Sequence, residues 1–246
     1  MSRSFNGSSD YARYGGAVVS AYPFTMACWA LPDNTTANHT LIWVGNSAVS
    51  NQYFELSIRG ADGGDPVAAI ARNTVYTSAT TSTGFSSSAW NHCCGVWTNS
   101  FSRDAYLNGG GKGSNTESVS ATGLGANRTT VGRSDDSTPG DNIAGLIAHP
   151  CIWNVALTEA EIKSLARGAH PLTVRPASIV SYWPLYGNGS PEPDEVGRFE
   201  LPLTGTSKSS NNPPVISPRR KRFIYIPAAA PAGNRRRRVL LCGRAS

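Results

Sequence analysis

Short runs of alternating apolar and polar residues, each stopped by turn-forming residues, constrain this chain more than any other feature. Phe24-Thr25-Met26-Ala27-Cys28-Trp29-Ala30 places Phe24, Met26, Cys28 and Ala30 on one face of a strand, and Pro32-Asp33-Asn34 ends it. Thr40 to Gly45 follows. Tyr53 to Arg59 then sets Phe54, Leu56 and Ile58 against Tyr53, Glu55, Ser57 and Arg59. The turn Ala61-Asp62-Gly63-Gly64-Asp65-Pro66 leads into a hairpin partner at Val67 to Arg72. Trp90 to Trp97 is a further strand, with Trp90, His92, Cys94 and Val96 on one face. Asp104 to Leu107 runs into Asn108-Gly109, the strongest short hairpin signal. Strands are also expected at Thr129–Arg133, Asn142–Ala148, Cys151–Val155 and Ser178–Pro184.

One helix interrupts this pattern, over Thr158 to Arg167. Thr158 and Glu161 make a capping box, Ile162, Leu165 and Ala166 form the apolar stripe, and Gly168 is placed to end it. The 25 Gly and 16 Pro agree with a chain rich in turns, and 15% charged residues argue against a coiled coil or a disordered chain. Many short strands around one helix indicate an all-β sandwich or jelly roll. No apolar run reaches the roughly 18 residues of a membrane-spanning helix. The first residues, Met1 to Phe5, carry no apolar signal core, so ordinary secretion is not expected.

Charge divides the chain. Residues 219–246 hold nine of the 22 basic residues and no acidic one, whereas residues 1–218 are mildly acidic. The layout read from this is a jelly-roll domain over 1–206, a Ser/Asn/Pro linker over 207–218 and a basic extended arm over 219–246. In the arm, Arg219, Arg220, Lys221 and Arg222 precede the apolar, strand-prone Phe223, Ile224, Tyr225 and Ile226. A second cluster, Arg235, Arg236, Arg237 and Arg238, precedes Val239 to Leu241. A purely solvating tail has no need of the apolar pieces. The arm is therefore read as a partner-binding element that adds strands to neighbouring subunits. Without interleaved stacking aromatics, its guanidinium groups suit only non-specific nucleic-acid binding.

Five cysteines are present, Cys28, Cys93, Cys94, Cys151 and Cys242, with no C-x-x-C pair. They read as buried free thiols of a reducing compartment, and a structural zinc site is unsupported. Adjacent strand residues point to opposite faces, so His92, Cys93 and Cys94 do not assemble a thiol nucleophile. Glycoside hydrolysis needs two carboxylates about 5–9.5 Å apart across a cleft. The nearest carboxylate cluster here, Glu192, Asp194 and Glu195, lies in a proline-containing loop.

In order along the chain, several segments resemble the laminin-G-like, concanavalin A-like jelly-roll family. Phe5-Asn6-Gly7-Ser8-Ser9-Asp10-Tyr11 is similar to its opening, and Phe24 to Trp29 to its next strand. Trp90-Asn91-His92 with Trp97, then Tyr106-Leu107-Asn108-Gly109, resemble its central pair of strands. Val131-Gly132-Arg133, Ile152-Trp153-Asn154 and Leu157 to Ile162 resemble its closing strands and helix, so the likeness spans roughly residues 4–168. Tyr182-Trp183-Pro184-Leu185 with Asp194 to Gly197 resembles the family's usual first strand but stands after the helix. It is expected to complete the sandwich in permuted order, because too few residues follow to build a second core.

The family includes glycosidases, lectins and adhesion modules, so fold alone does not set function. Calcium-binding relatives make Asp135, Asp136 and Asp141 the candidate metal ligands. Trp29, Trp43, Trp90, Trp97 and Trp153 sit in strand patterns and read as core rather than as sugar platforms. No other cofactor is expected. Compact modules with such arms resemble structural proteins of tailed phages. The leading expectation is a non-enzymatic virion protein, a capsid decoration or fibre component assembled in the host cytoplasm. Its arm would bind other virion proteins within a homo-oligomeric assembly. The alternative is a carbohydrate-binding lectin or adhesion module that binds a surface glycan.

Overall fold

The computed structural model of the chain describes residues 1–216. The expected basic arm, with Arg219 to Ile226, Arg235 to Arg238 and Cys242, lies outside the described residues. The strands in chain order are β1 (Ser2–Asn6), β2 (Tyr11–Tyr14), β3 (Phe24–Pro32), β4 (Asn38–Gly45), β5 (Gln52–Arg59), β6 (Pro66–Asn73), β7 (Val75–Gly84) and β8 (Asn91–Asn99). They continue with β9 (Ser102–Leu107), β10 (Gly110–Asn115), β11 (Arg128–Val131) and β12 (Ala144–Trp153). After helix α1 (Glu159–Ala166) come β13 (Ile179–Tyr182), β14 (Leu203–Thr204) and β15 (Ser207–Ser209). The first sheet runs β10-β9-β8-β3-β12-β1-β15, with β13 paired to β12. The second runs β14-β2-β11-β4-β5-β6-β7. All pairs are antiparallel, so this is an all-β jelly-roll sandwich with one short helix.

The core between the sheets is built by the alternation expected. Phe24, Met26, Cys28 and Ala30 of β3 meet Phe54, Leu56 and Ile58 of β5. Phe24 stacks on Trp97 with ring centroids 4.8 Å apart and meets Phe54 edge-on at 4.8 Å. Burying side chains of this size contributes about 2–3 kcal/mol each. The β9–β10 turn places Asn108 and Gly109 both at positive φ, 53° and 74°, as a two-residue hairpin turn of this hand requires. Where β10 passes β7, a Cβ on Gly113 would collide with the Thr80 carbonyl, which is why glycine stands there.

The capping box of α1 is present: the Glu161 N–H donates to Thr158 Oγ1 at 3.4 Å, and the Thr158 N–H donates to Glu161 at 2.8 Å. Ile162 and Leu165 turn onto the outer face of the first sheet. They join Cys94, Val96, Cys151 and Trp153 in a second apolar cluster. The Tyr182 strand completes the sandwich: β13 pairs with β12 at 151–153, along the edge that β1 occupies at 144–147. The linker expectation needs correction at its start. Residues 207–209 form β15 on β1, and the Ile216 N–H donates to the Gly168 carbonyl at 2.8 Å. Ser207-Lys208-Ser209 has no apolar alternation because it is a short exposed edge strand. Its backbone pairing leaves no mark in the hydrophobic pattern.

Candidate functional site on the second sheet

The same alternation that turns Phe54, Leu56 and Ile58 inward turns Tyr53, Glu55 and Ser57 to the opposite face. Cross-strand register then aligns Arg13, Thr130, Trp43, Glu55, Ile70 and Ser78 in one row across six strands. The neighbouring row is Tyr53, Arg72 and Tyr76. On the other side lie Thr40, Ser57, Ala68 and Thr80. The floor is buried at Trp43, Glu55, Thr130 and Ile70. The rim reaches solvent at Tyr76, 46% exposed, and at Arg13.

The floor keeps hydrogen-bonding groups without partners. Trp43 Nε1 and Thr130 Oγ1, cross-strand neighbours, are buried and unpaired, and so are Nε of Arg72 and Nε of Arg133. Each such group is destabilising by about 1–3 kcal/mol until something bonds to it. Glu55 accepts from Thr40 Oγ1 at 3.0 Å. Burial, reinforced by the nearby Asp141 charge, raises its carboxyl to about 7, with the Thr40 bond opposing the shift. At neutral pH the centre of the face therefore holds an acid that is about half protonated, and its protonated form both donates and accepts. At one end Asp135 is buried among three guanidinium groups, Arg133 at 2.5 Å, Arg128 at 3.1 Å and Arg13 at 3.6 Å. Arg133 lies 3.5 Å over the Tyr11 ring. The arrangement offers donors, acceptors and aromatic surface on one rigid sheet, as recognition of a polyhydroxylated ligand requires.

The profile of the concanavalin A-like lectin/glucanases superfamily, laminin G type, matches residues 6–163. The chain belongs to this superfamily. Among solved structures, the superfamily domain is similar to a putative carbohydrate binding protein from Bacteroides ovatus, at 19% identity and a TM-score of 0.64. That match covers 88% of this chain and 62% of the other, so the chain spans less than two thirds of that protein. It is also similar to domain 4 of the extracellular arabinanase AbnA from Geobacillus stearothermophilus, solved with arabinotriose. Identity is 24% and TM-score 0.56, covering 67% of this chain and 76% of that one. A third likeness is to the CBM40 of the Ruminococcus gnavus IT-sialidase bound to α2,3 sialyllactose, at 16% identity and TM-score 0.52, covering 63% and 93%. No curated protein sequence matches the chain.

The proposed calcium ligands are not brought together. Asp135 is committed to its arginines, Asp136 accepts from the Thr138 N–H at 2.7 Å, and Asp141 is exposed. Among the described residues no group of three or more His, Cys, Asp or Glu is placed to hold a metal ion. The Glu192 cluster is architectural. Glu192 is buried against Arg3 at 2.6 Å, and Asp194 accepts from Ser181 Oγ and from the Tyr182 N–H. Cys28, Cys93, Cys94 and Cys151 are free and buried, and burial pushes each thiol well above its usual value. Burial likewise lowers His92 to about 3, so no thiolate–imidazolium pair exists there.

Trp97 lies in the core between the sheets, as read from the sequence, whereas Trp153 is buried under α1 on the outer face of the first sheet and Trp43 on the outer face of the second, with Tyr53, Ala68 and Ile70. Sequence reasoning passed over Thr130, Arg72 and Tyr76. The available signal was the polar half of each alternation, which becomes a site only once register sets the strands side by side.

Proposed function

We propose that this chain is a non-catalytic carbohydrate-binding module and that the outer face of its second sheet holds the glycan. The carrying observation is the polar and aromatic outer face, in which the row Arg13–Thr130–Trp43–Glu55 lies beside the row Tyr53–Arg72–Tyr76, with Arg13 and Tyr76 reaching solvent. Above this buried floor, Tyr76 supplies an exposed ring for stacking and Arg13 a solvent-reaching guanidinium for sugar hydroxyls. The fold likeness to carbohydrate-binding modules supports this reading over a virion role. The virion expectation drew its strength from the arm, which lies outside the described residues. Binding without turnover fits the row itself, because the cross-strand neighbours of Glu55 are Trp43 and Ile70, neither a carboxylate.

A glycan array with the whole chain tests this. The expected result is saturable binding to one glycan class, weakened tenfold or more by Tyr76→Ala with the fold intact. No binding to any glycan, or binding indifferent to Tyr76→Ala and Arg13→Ala together, overturns it.

A further inference from the structure

Against the first sheet lies a separate cavity of about 270 Å³, lined in part by His149, His170, Tyr182, Tyr186, Asn212 and Pro213. Three of these side chains form one hydrogen-bonded series. Tyr182 Oη sits 2.7 Å from His149 Nδ1 and 3.2 Å from His170 Nε2. Its polarity follows from its fixed end. The Leu172 backbone N–H donates to His170 Nδ1 at 3.3 Å, so a neutral His170 carries its proton on Nε2. That Nε2–H donates to Tyr182 Oη, and the Tyr182 hydroxyl donates to His149 Nδ1. His149 is therefore left with an Nε2–H as its remaining polar group. Burial holds both imidazoles below their usual value, His149 down to about 3, so the series is uncharged at neutral pH.

The backbone is strained to put His149 there. Its φ is +51°, within a register slip of β12 between Ala148 and Cys151. It also precedes Pro150, and a following proline already disfavours helical backbone, right-handed or left, at such a residue. A bulge re-aims one side chain out of the alternation. Here the imidazole lies parallel to Tyr182, at 7° and 5.9 Å between centroids. Left-handed non-glycine residues are strained and cluster where a side chain must be held for a ligand.

We infer that this cavity is a second carbohydrate subsite, taking one sugar ring by its hydroxyls and one apolar face. The inference rests on the carbohydrate-binding reading and adds a site on the opposite sheet. The volume falls below the roughly 300–1,000 Å³ of pockets for drug-sized ligands, which suits a single ring. The His149 Nε2–H and the Asn212 amide meet hydroxyls. Tyr186, held by its hydrogen bond to Glu195 and 39% exposed, offers a ring face, with Pro213 as apolar wall.

The test uses the whole chain in calorimetric titrations with methyl pyranosides of glucose, galactose, mannose and N-acetylglucosamine. Glycans that bind in the array are titrated in parallel. The expected result is that at least one methyl pyranoside binds and that Tyr186→Ala weakens it tenfold or more. His149→Asn, which tolerates the left-handed backbone, does the same, and Tyr76→Ala leaves it unchanged. If array glycans bind but no methyl pyranoside does, or if natively folded Tyr186→Ala and His149→Asn proteins bind it unchanged, the cavity inference fails alone. If no sugar binds at all, both readings fail.

Discussion

The two sheets share one alternation and one core, yet their outer faces have opposite fates. On the first sheet, β12 is followed by α1, whose Ile162 and Leu165 fold back over Val96, Cys151 and Trp153. Trp153 is satisfied there, its Nε1 donating to the Val174 carbonyl at 2.9 Å. On the second sheet, the corresponding buried indole, Trp43, has no partner at Nε1 and stands beside an unpaired threonine and a carboxyl whose pKa burial raises to about 7. A chain that seals one outer face with its own helix makes a second core. The face that keeps unpaired polar groups forgoes some stability, as a face proposed for recognition is expected to.

The sharpest way to break this contrast is Trp153→Ala. It removes a fully buried side chain from the sealed face, and urea unfolding should show a loss of about 3–5 kcal/mol. Glu55→Gln probes the open face. Because Glu55 titrates near 7 in the folded chain against about 4.5 when unfolded, folding is unhindered by it below pH 4.5 and loses stability as pH rises through 7. The variant should match the parent at pH 4 and exceed it by about 3 kcal/mol at pH 8, and equal curves at both pH values would refute the buried acid. Asp135→Asn unbalances three arginines and should be destabilising by about 2 kcal/mol, discounted from a fully buried pair because those arginines reach solvent. Adding calcium or a chelator should leave the parent's melting temperature unchanged. Tyr76→Ala is the smallest in stability, within about 0.5 kcal/mol, because its side chain is exposed. Its effect should appear in glycan affinity instead.

How much of this the sequence carried depends on whether a feature is local. The alternation of β3 and β5, the Asn108-Gly109 turn and the Thr158–Glu161 cap are each written within a few residues, and all three stand in the structure. β7 was not read as a strand because Val75 to Gly84 is mostly Thr and Ser on an edge, with only alternate residues buried. The row through Trp43 was illegible for a different reason. Trp43 was assigned to the core by its strand pattern. Only the bulge in β4 between Thr40 and Ile42 and the pairing with β11 put it outward beside Thr130. Asp135 read as a calcium ligand because its loop is acidic, while the arginines that claim it come from β2, β11 and the start of the same loop.

The position of β1 has a consequence for how the chain reaches its fold. Arg3 is partnered by Ile147 on one side and Lys208 on the other. A ribosome adding roughly 5–20 residues per second therefore leaves β1 with an open edge for about 10–40 s, until β15 has been made. Phe5 likewise waits for Val131, Ile143 and Ile147, its core neighbours more than 120 residues later. The sandwich must close after most of it has been synthesised, so its folding should be slow and sensitive to crowding by sister chains.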